Sequence, residues 1–249
     1  MPKARYVVPV VLALVAIVGI SGWWLYRASQ PIDVALRFHP FVGPEPLVLH
    51  AARYPNPGGE GRFQVRAFQL FLSNIRLTGE GGAYIEPDSY HLVRFDGTEP
   101  AFGIVLHDVP RRDYERLEFG IGVDSAANKG LAQRGDLDPN GRMAWAWEAG
   151  YKFVLLEGTL ERGDTRVPLV YHVGFDDSYT LVSTELQEDP VEGRSVRLDF
   201  RVDLLRLFQG SPTVDMAALP SVKFDRTDAA LLARNLATMI TPMRGQERP

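Results

Sequence analysis

The chain has 249 residues, 45% of them hydrophobic and 23% charged, a balance that excludes wholesale disorder and leaves room for one substantial core. Its net charge of -4 comes with no run of consecutive basic residues, so nothing in it matches a phosphate backbone and nucleic acid is not an expected partner. It contains no cysteine, which removes disulfide staples, thiolate metal sites, c-type haem attachment, thiol catalysis and a lipidated cysteine.

The first predicted element is apolar. After Lys3 and Arg5, the stretch YVVPVVLALVAIVGISGWWLY (residues 6–26) carries no charge and is long enough to cross roughly 30 Å of hydrocarbon. Trp23, Trp24 and Tyr26 stand where a cleaved leader carries small residues, so residues 1–27 read as a signal anchor held in the membrane by residues 6–26. A signal peptide removed on export is the alternative. With Lys3 and Arg5 on the cytoplasmic side, the chain from residue 28 onward lies in the periplasm or its equivalent, or is secreted if cleavage occurs. Residues 28–35 form a linker, 36–243 one domain and 244–249 a polar tail.

Beyond the linker, period-two patterns dominate. In FQVRAFQLFL the apolar parity switches from Phe63, Val65 and Ala67 to Phe68, Leu70 and Leu72, which predicts a β-bulge near residue 67. LEFGIGV places Leu117, Phe119, Ile121 and Val123 on one face, and VPLVYHVG does so with Val167, Leu169, Tyr171 and Val173, leaving His172 opposite. VRLDFRVDL alternates Val196, Leu198, Phe200, Val202 and Leu204 against charged residues, a strand with one wet face. PNPGG, GEGG, DPNG and ERGD punctuate these runs as turns. The expected fold is all-β: an antiparallel β-sandwich or Greek-key domain with a C-terminal helix, preceded by the N-terminal membrane or signal helix. That C-terminal helix is DRTDAALLARNLATMI, capped by Asp225 or Thr227, with Leu232, Leu236, Met239 and Ile240 on one face and an end before Pro242.

The familiar catalytic signatures are missing: no Walker loop, no G-x-S-x-G and no H-E-x-x-H, and the histidines at 39, 50, 91, 107 and 172 have no ligand-like spacing. GIGVDSAANKG lacks the third glycine of a dinucleotide fingerprint. GDLDPNG is more informative, because Asp136, Asp138, Asn140 and Gly141 match the first half of an EF-hand loop. The match stops at position twelve, which is Trp147 where a bidentate glutamate is required. A tight Asp-Pro-Asn-Gly turn is one reading; a cation site of another kind, holding calcium with Asp124 and Asn128 as further oxygen donors, is the other.

MAWAW, residues 143–147, raises a similar choice. As a strand it would place Met143, Trp145 and Trp147 on one face and Ala144 and Ala146 on the other. Large side chains on one face suit a core; two indoles and a thioether in line also form an oxidisable cluster that another surface can approach across alanines. His172 is open in the same way, since a lone histidine opposite an apolar face can be hydrogen-bonded, solvated or a metal ligand. An exported chain without cysteine would bind copper or zinc chiefly through imidazole.

Several stretches in this order resemble the MbnP family, exported proteins named for a methanobactin (copper-chelator) gene cluster: FVGPEPLVL (41–49), FLSNIRL (71–77), YHLVRFD (90–96), LEFGIGVDSAANKG (117–130), GDLDPNGRMAWAWEAGYKFVLLEG (135–158), YHVG (171–174) and ARNLATMI (233–240). The resemblance implies a β-rich extracytoplasmic copper-binding protein without turnover of its own, whose partner is a di-haem peroxidase-like enzyme of the MbnH type that converts a tryptophan to kynurenine. On matching positions Trp145 and Trp147 are the candidates for oxidation, and His172 is the candidate copper ligand; one imidazole is few for copper, so His39 and Met143 are taken as the donors that would complete the site. The alternative function is a calcium-braced structural or adhesion sandwich displayed from the membrane, in which the tryptophans are core.

Overall fold

The computed structural model describes residues 30–51, 53–130, 135–145, 150–186 and 195–243. The apolar segment 6–26, Trp147 and the tail 244–249 lie outside the described residues. Among the described residues, no helix is long and apolar enough to cross a membrane.

The chain is built from strands: β1 (Ile32–Val42), β2 (Glu45–Pro46), β3 (Tyr54–Pro55), β4 (Arg62–Gly79), β5 (Gly82–Ile85), β6 (Tyr90–Phe95) and β7 (Phe102–Val109). Then follow β8 (Arg116–Ile121), β9 (Lys152–Arg162), β10 (Thr165–Gly174), β11 (Thr180–Glu185), β12 (Ser195–Asp203), β13 (Ser221–Val222) and β14 (Ile240–Pro242). The smaller sheet runs β14-β12-β1-β2, with β7 also on β1; the larger runs β11-β8-β4-β9-β10-β13, with β3, β5 and β6 along β4. The all-β sandwich with a C-terminal helix is the expected fold, but two ladders run parallel, β1 with β12 and β10 with β13. Their members are far apart in sequence, so no hairpin dictates an antiparallel direction.

The main core fills the space between the sheets. Phe38 of β1 stacks on Phe200 of β12 at 5.3 Å, and Phe119 of β8 meets both rings edge-on at 6.4 Å. A second apolar cluster lies on the other face of the larger sheet, where Phe71, Leu92, Phe153 and Leu155 are covered by Val123, Leu137, Met143 and Tyr151. The larger sheet is therefore buried on both faces over part of its area. The covering segment begins at Gly122, whose φ of +114° no L side chain adopts comfortably and whose missing Cβ leaves room for the Phe153 ring. That turn carries Val123 to the outer cluster, which corrects the expectation that it continues the inner face of β8.

Three further expectations change. The polar side of β12 is not wholly wet: Asp199 is only 2% exposed, with its Oδ1 on His39 Nε2 and on the Arg197 guanidinium. Leu204 belongs to a 3-10 turn, Leu204–Phe208, rather than to the strand. The C-terminal helix spans Arg226–Ala233, capped by Asp225 as expected, but a 3-10 turn at Leu236–Thr238 follows and Ile240–Pro242 pairs with β12. Asn235 ends the helical run by donating its side-chain amide to Leu207 O, while Leu232, Leu236, Met239 and Ile240 stay buried without sharing one helix. The bulge on β4 is where the parity switch puts it: the register with β9 shifts between Val65 and Ala67.

Candidate functional site

The site lies on the outer face of the larger sheet, at the end of β10. Residues 143–145 run back alongside 150–152: Trp145 N donates to Gly150 O, Lys152 N to Met143 O, and Ala144 bridges Tyr151. This is a short irregular ladder, not the strand that alternation suggests. Met143 is buried in the outer cluster, and the half-buried Trp145 packs elsewhere. The indole rests on the backbone of Gly174, where an added Cβ would come within 2.7 Å of ring atoms Cη2 and Cζ3. Phe175 packs on the indole at 4.9 Å between centroids and Phe224 at 5.3 Å. Trp145 Nε1 is buried and, among the described residues, has no hydrogen-bond partner. An unpaired buried donor is uncommon because its lost hydration is uncompensated.

Phe175 is held in an unusual conformation, φ 69° and ψ 149°, a region that side-chain-bearing residues occupy only when their surroundings require it. Its ring contacts Trp145 and lies under the Arg226 guanidinium at 4.3 Å. The strain is offset by contacts with the indole and the cation.

His172 stands two residues before Gly174 on the same strand, roughly 7 Å along the backbone. Its Nε2 lies 3.1 Å from Glu157 Oε1. Glu157 Oε2 accepts from Arg66 Nη2 at 2.8 Å and from Arg142 Nη2 at 2.5 Å. Arg66 reaches it because it is the extra residue of the β4 bulge, set between Val65 and Ala67, which pair with Gly158 and Glu157. Burial alone would raise the Glu157 carboxyl, but hydrogen bonds from Arg66, His172 and Arg142 outweigh it and bring it down to about 2. Burial pushes His172 below the ordinary imidazole value, with Lys152 and Lys223 adding to the effect and Glu157 opposing it. Lys152 is itself lowered by burial and by Arg142, and its Nζ donates to Arg142 O at 2.6 Å. Burial thus favours the neutral form of the His172 imidazole, which the Glu157 carboxylate orients.

The other donors expected for copper are not gathered here. His39 is buried in the smaller sheet against Asp199, and Met143 is 2% exposed in the outer cluster. No group of three or more His, Asp or Glu side chains among the described residues is arranged to hold a metal ion. The oxygen donors considered for calcium are engaged with the protein. Asp124 Oδ1 accepts from Ala126 N and Ala127 N, and its Oδ2 from Tyr90 and Asn74. Asn128 accepts from Tyr151 N and donates to Asp176, Asp136 accepts from Leu92 N, and Asp138 accepts from Asn140 N. Asp-Pro-Asn-Gly forms a turn, with Gly141 N closing onto Asp138 O.

Glu157, Gly174, Phe175 and Phe224 escaped the sequence reading. A single carboxylate in the apolar run KFVLLEG was the available signal, since a buried charge requires partners. The family model named MbnP matches residues 31–224, from the first strand to Phe224. The chain belongs to the MbnP family. Among solved structures, MbnP from Methylosinus trichosporium shares the fold with a TM-score of 0.51 at 19% identity, over 72% of this chain and 78% of that one. No curated protein matches the chain. Trp145, His172 and Glu157 all fall within the MbnP match.

Proposed function

We propose that this chain is an exported copper-handling protein whose Trp145 or Trp147 is oxidised to kynurenine by a di-haem peroxidase-like enzyme, and that the product binds copper together with His172. Residues 6–26 anchor it in the membrane, or are removed on export, and the protein acts as a modified binding protein with no turnover of its own. The observation that carries the reading is the Trp145 indole, with a buried N–H that no described acceptor takes up, lying on Gly174, two residues along β10 from a histidine whose neutral form burial favours.

The chemistry is balanced by a peroxide oxidant. Two peroxides cleave the indole C2–C3 bond, leaving a ketone at C3 and a formyl group on nitrogen and releasing two waters; hydrolysis then removes the formyl carbon as formate. The former indole nitrogen becomes an aromatic amine. In indole its lone pair is delocalised into the ring, whereas in the amine it is available to a metal. Glu157 engages His172 Nε2 and so leaves Nδ1 for copper, the arrangement in which a carboxylate orients a ligating imidazole.

Peptide mass spectrometry of the protein co-expressed with its haem partner tests this. The peptide spanning residues 143–153 gains about 4 Da in the wild type, and Trp145→Phe or Trp147→Phe identifies the reacting ring. If both tryptophans are intact after exposure to active partner and peroxide, the reading fails.

A further inference from the structure

We infer that the face formed by Phe224, Arg226, Lys223, Arg142 and Arg66 is the docking surface for an acidic patch on the oxidising haem protein. The inference rests on the function proposed above and adds where and by what chemistry the partner binds. Phe224 is 63% exposed and is the one aromatic among the large exposed apolar side chains of the described residues, yet its ring packs on Trp145. A partner that covers Phe224 therefore comes within one ring of the indole.

Charge selects the partner. The whole chain carries -4, but among the described residues around His172 the cations Arg66, Arg142, Lys152 and Lys223 face one carboxylate, Glu157, an excess of three positive charges. Arg66 and Arg142 have side chains 58% and 50% exposed, whereas Glu157 beneath them is 11% exposed, so a visitor meets the cations first. On the Phe224 side, Arg226 is 67% exposed. Asp177, 89% exposed, lies 3.6 Å from Arg226, and the Asp225 carboxylate caps the helix through Thr227 N and Asp228 N, so this side is balanced and the cationic excess lies at Arg66, Arg142 and Lys223. An exposed aromatic anchor next to exposed arginines has the composition of a protein interface, and the cationic excess at Arg66, Arg142 and Lys223 calls for an acidic counterpart.

The test uses the full chain and the intact haem partner. Lys223→Glu with Arg226→Glu reverses two charges of the face; Arg37→Glu with Arg206→Glu makes the same change in net charge away from it; Lys223→Gln with Arg226→Gln is the milder version should the reversal disturb folding. Partner affinity by surface-immobilised binding and the rate of tryptophan modification are measured at low and high salt. The expected result is a loss of about tenfold or more in affinity and rate for the face variants at low salt, a smaller loss at high salt, and wild-type values for the distal pair. Equal affinities for wild type and face variants overturn the docking surface, even where modification proceeds normally. Absence of modification in the wild type defeats the functional reading, and the binding arm still decides the surface. Loss of binding to phosphatidylglycerol vesicles by the face variants, with partner affinity unchanged, also overturns it and assigns the face to the membrane.

Discussion

Trp145 lies on Gly174 with no room for a methyl group between them: a Cβ at position 174 would stand 2.7 Å from two indole carbons and 2.7 Å from Tyr151 O. Neither neighbour yields easily, since one is a packed aromatic ring and the other is backbone. Gly174→Ala is therefore expected to expel the indole from its place against Phe175 and to destabilise the fold by about 1–3 kcal/mol, the usual cost of overpacking. Tryptophan fluorescence shifted towards that of a solvated indole, with a lowered melting temperature, would bear this out. An unchanged spectrum would show that the ring is not seated on this glycine.

Glu157 links stability to acid pH. Its carboxyl falls from 4.5 to about 2 on folding, so its contribution is complete above pH 4.5 and is lost as the pH drops through about 2. The shift is worth up to about 3 kcal/mol. Glu157→Gln is expected to lose about that much at pH 7, because Arg66, Arg142 and Lys152 keep their charges and lose their counter-ion. The gap between the two denaturation midpoints should narrow steadily between pH 4 and pH 2. A gap independent of pH would mean that Glu157 acts through packing alone.

The sheet elements and the site differed in how far they could be read from the sequence, and the reason lies in the range of the interactions. Alternation in β10 is local and sets His172 opposite Tyr171 and Val173, and the parity switch in β4 marks the bulge that delivers Arg66. Alternation misplaces Val123 because a single positive φ at Gly122 ends it, and Asp199 because its partner His39 comes from the far end of the chain. Spacing singles out Trp145, but its neighbours Phe175 and Phe224 arrive from just past the end of β10 and from beyond β13. No local pattern encodes that meeting.

His172 should titrate below 6.5, because burial and the nearby lysines disfavour its charged form. Below pH 6.5 the unfolded chain then takes up the proton before the folded one, so stability falls as pH drops towards the folded-state value and this term levels off beneath it. His172→Gln should remove that slope in urea melts between pH 7 and 5. In Glu157→Gln the imidazole should titrate lower still in NMR, since the Glu157 charge is what raises it. A value at or above 6.5 in the wild type would contradict the burial seen here.

Asp124 joins the covering segment to the sheet: it caps the helical turn Ser125–Asn128 with two backbone bonds and accepts from Tyr90 of β6 and Asn74 of β4. These bonds hold the carboxyl below the usual range despite its burial. Asp124→Ala removes the cap and leaves the Tyr90 hydroxyl without this acceptor, for a combined cost of about 2–3 kcal/mol. Asp124→Asn retains an oxygen for the helical turn and should recover part of the loss. Because Asp124, Asn128, Asp136 and Asp138 are each engaged by donors of the protein, chelation with EDTA should leave the wild-type melting temperature unchanged. A rise on adding calcium, lost in Asp124→Ala, would show instead that a cation displaces those donors and braces the segment over the outer cluster. Either result decides what holds the ladder carrying Trp145, because Asn128, at the end of the same helical turn, accepts the Tyr151 N–H beside it.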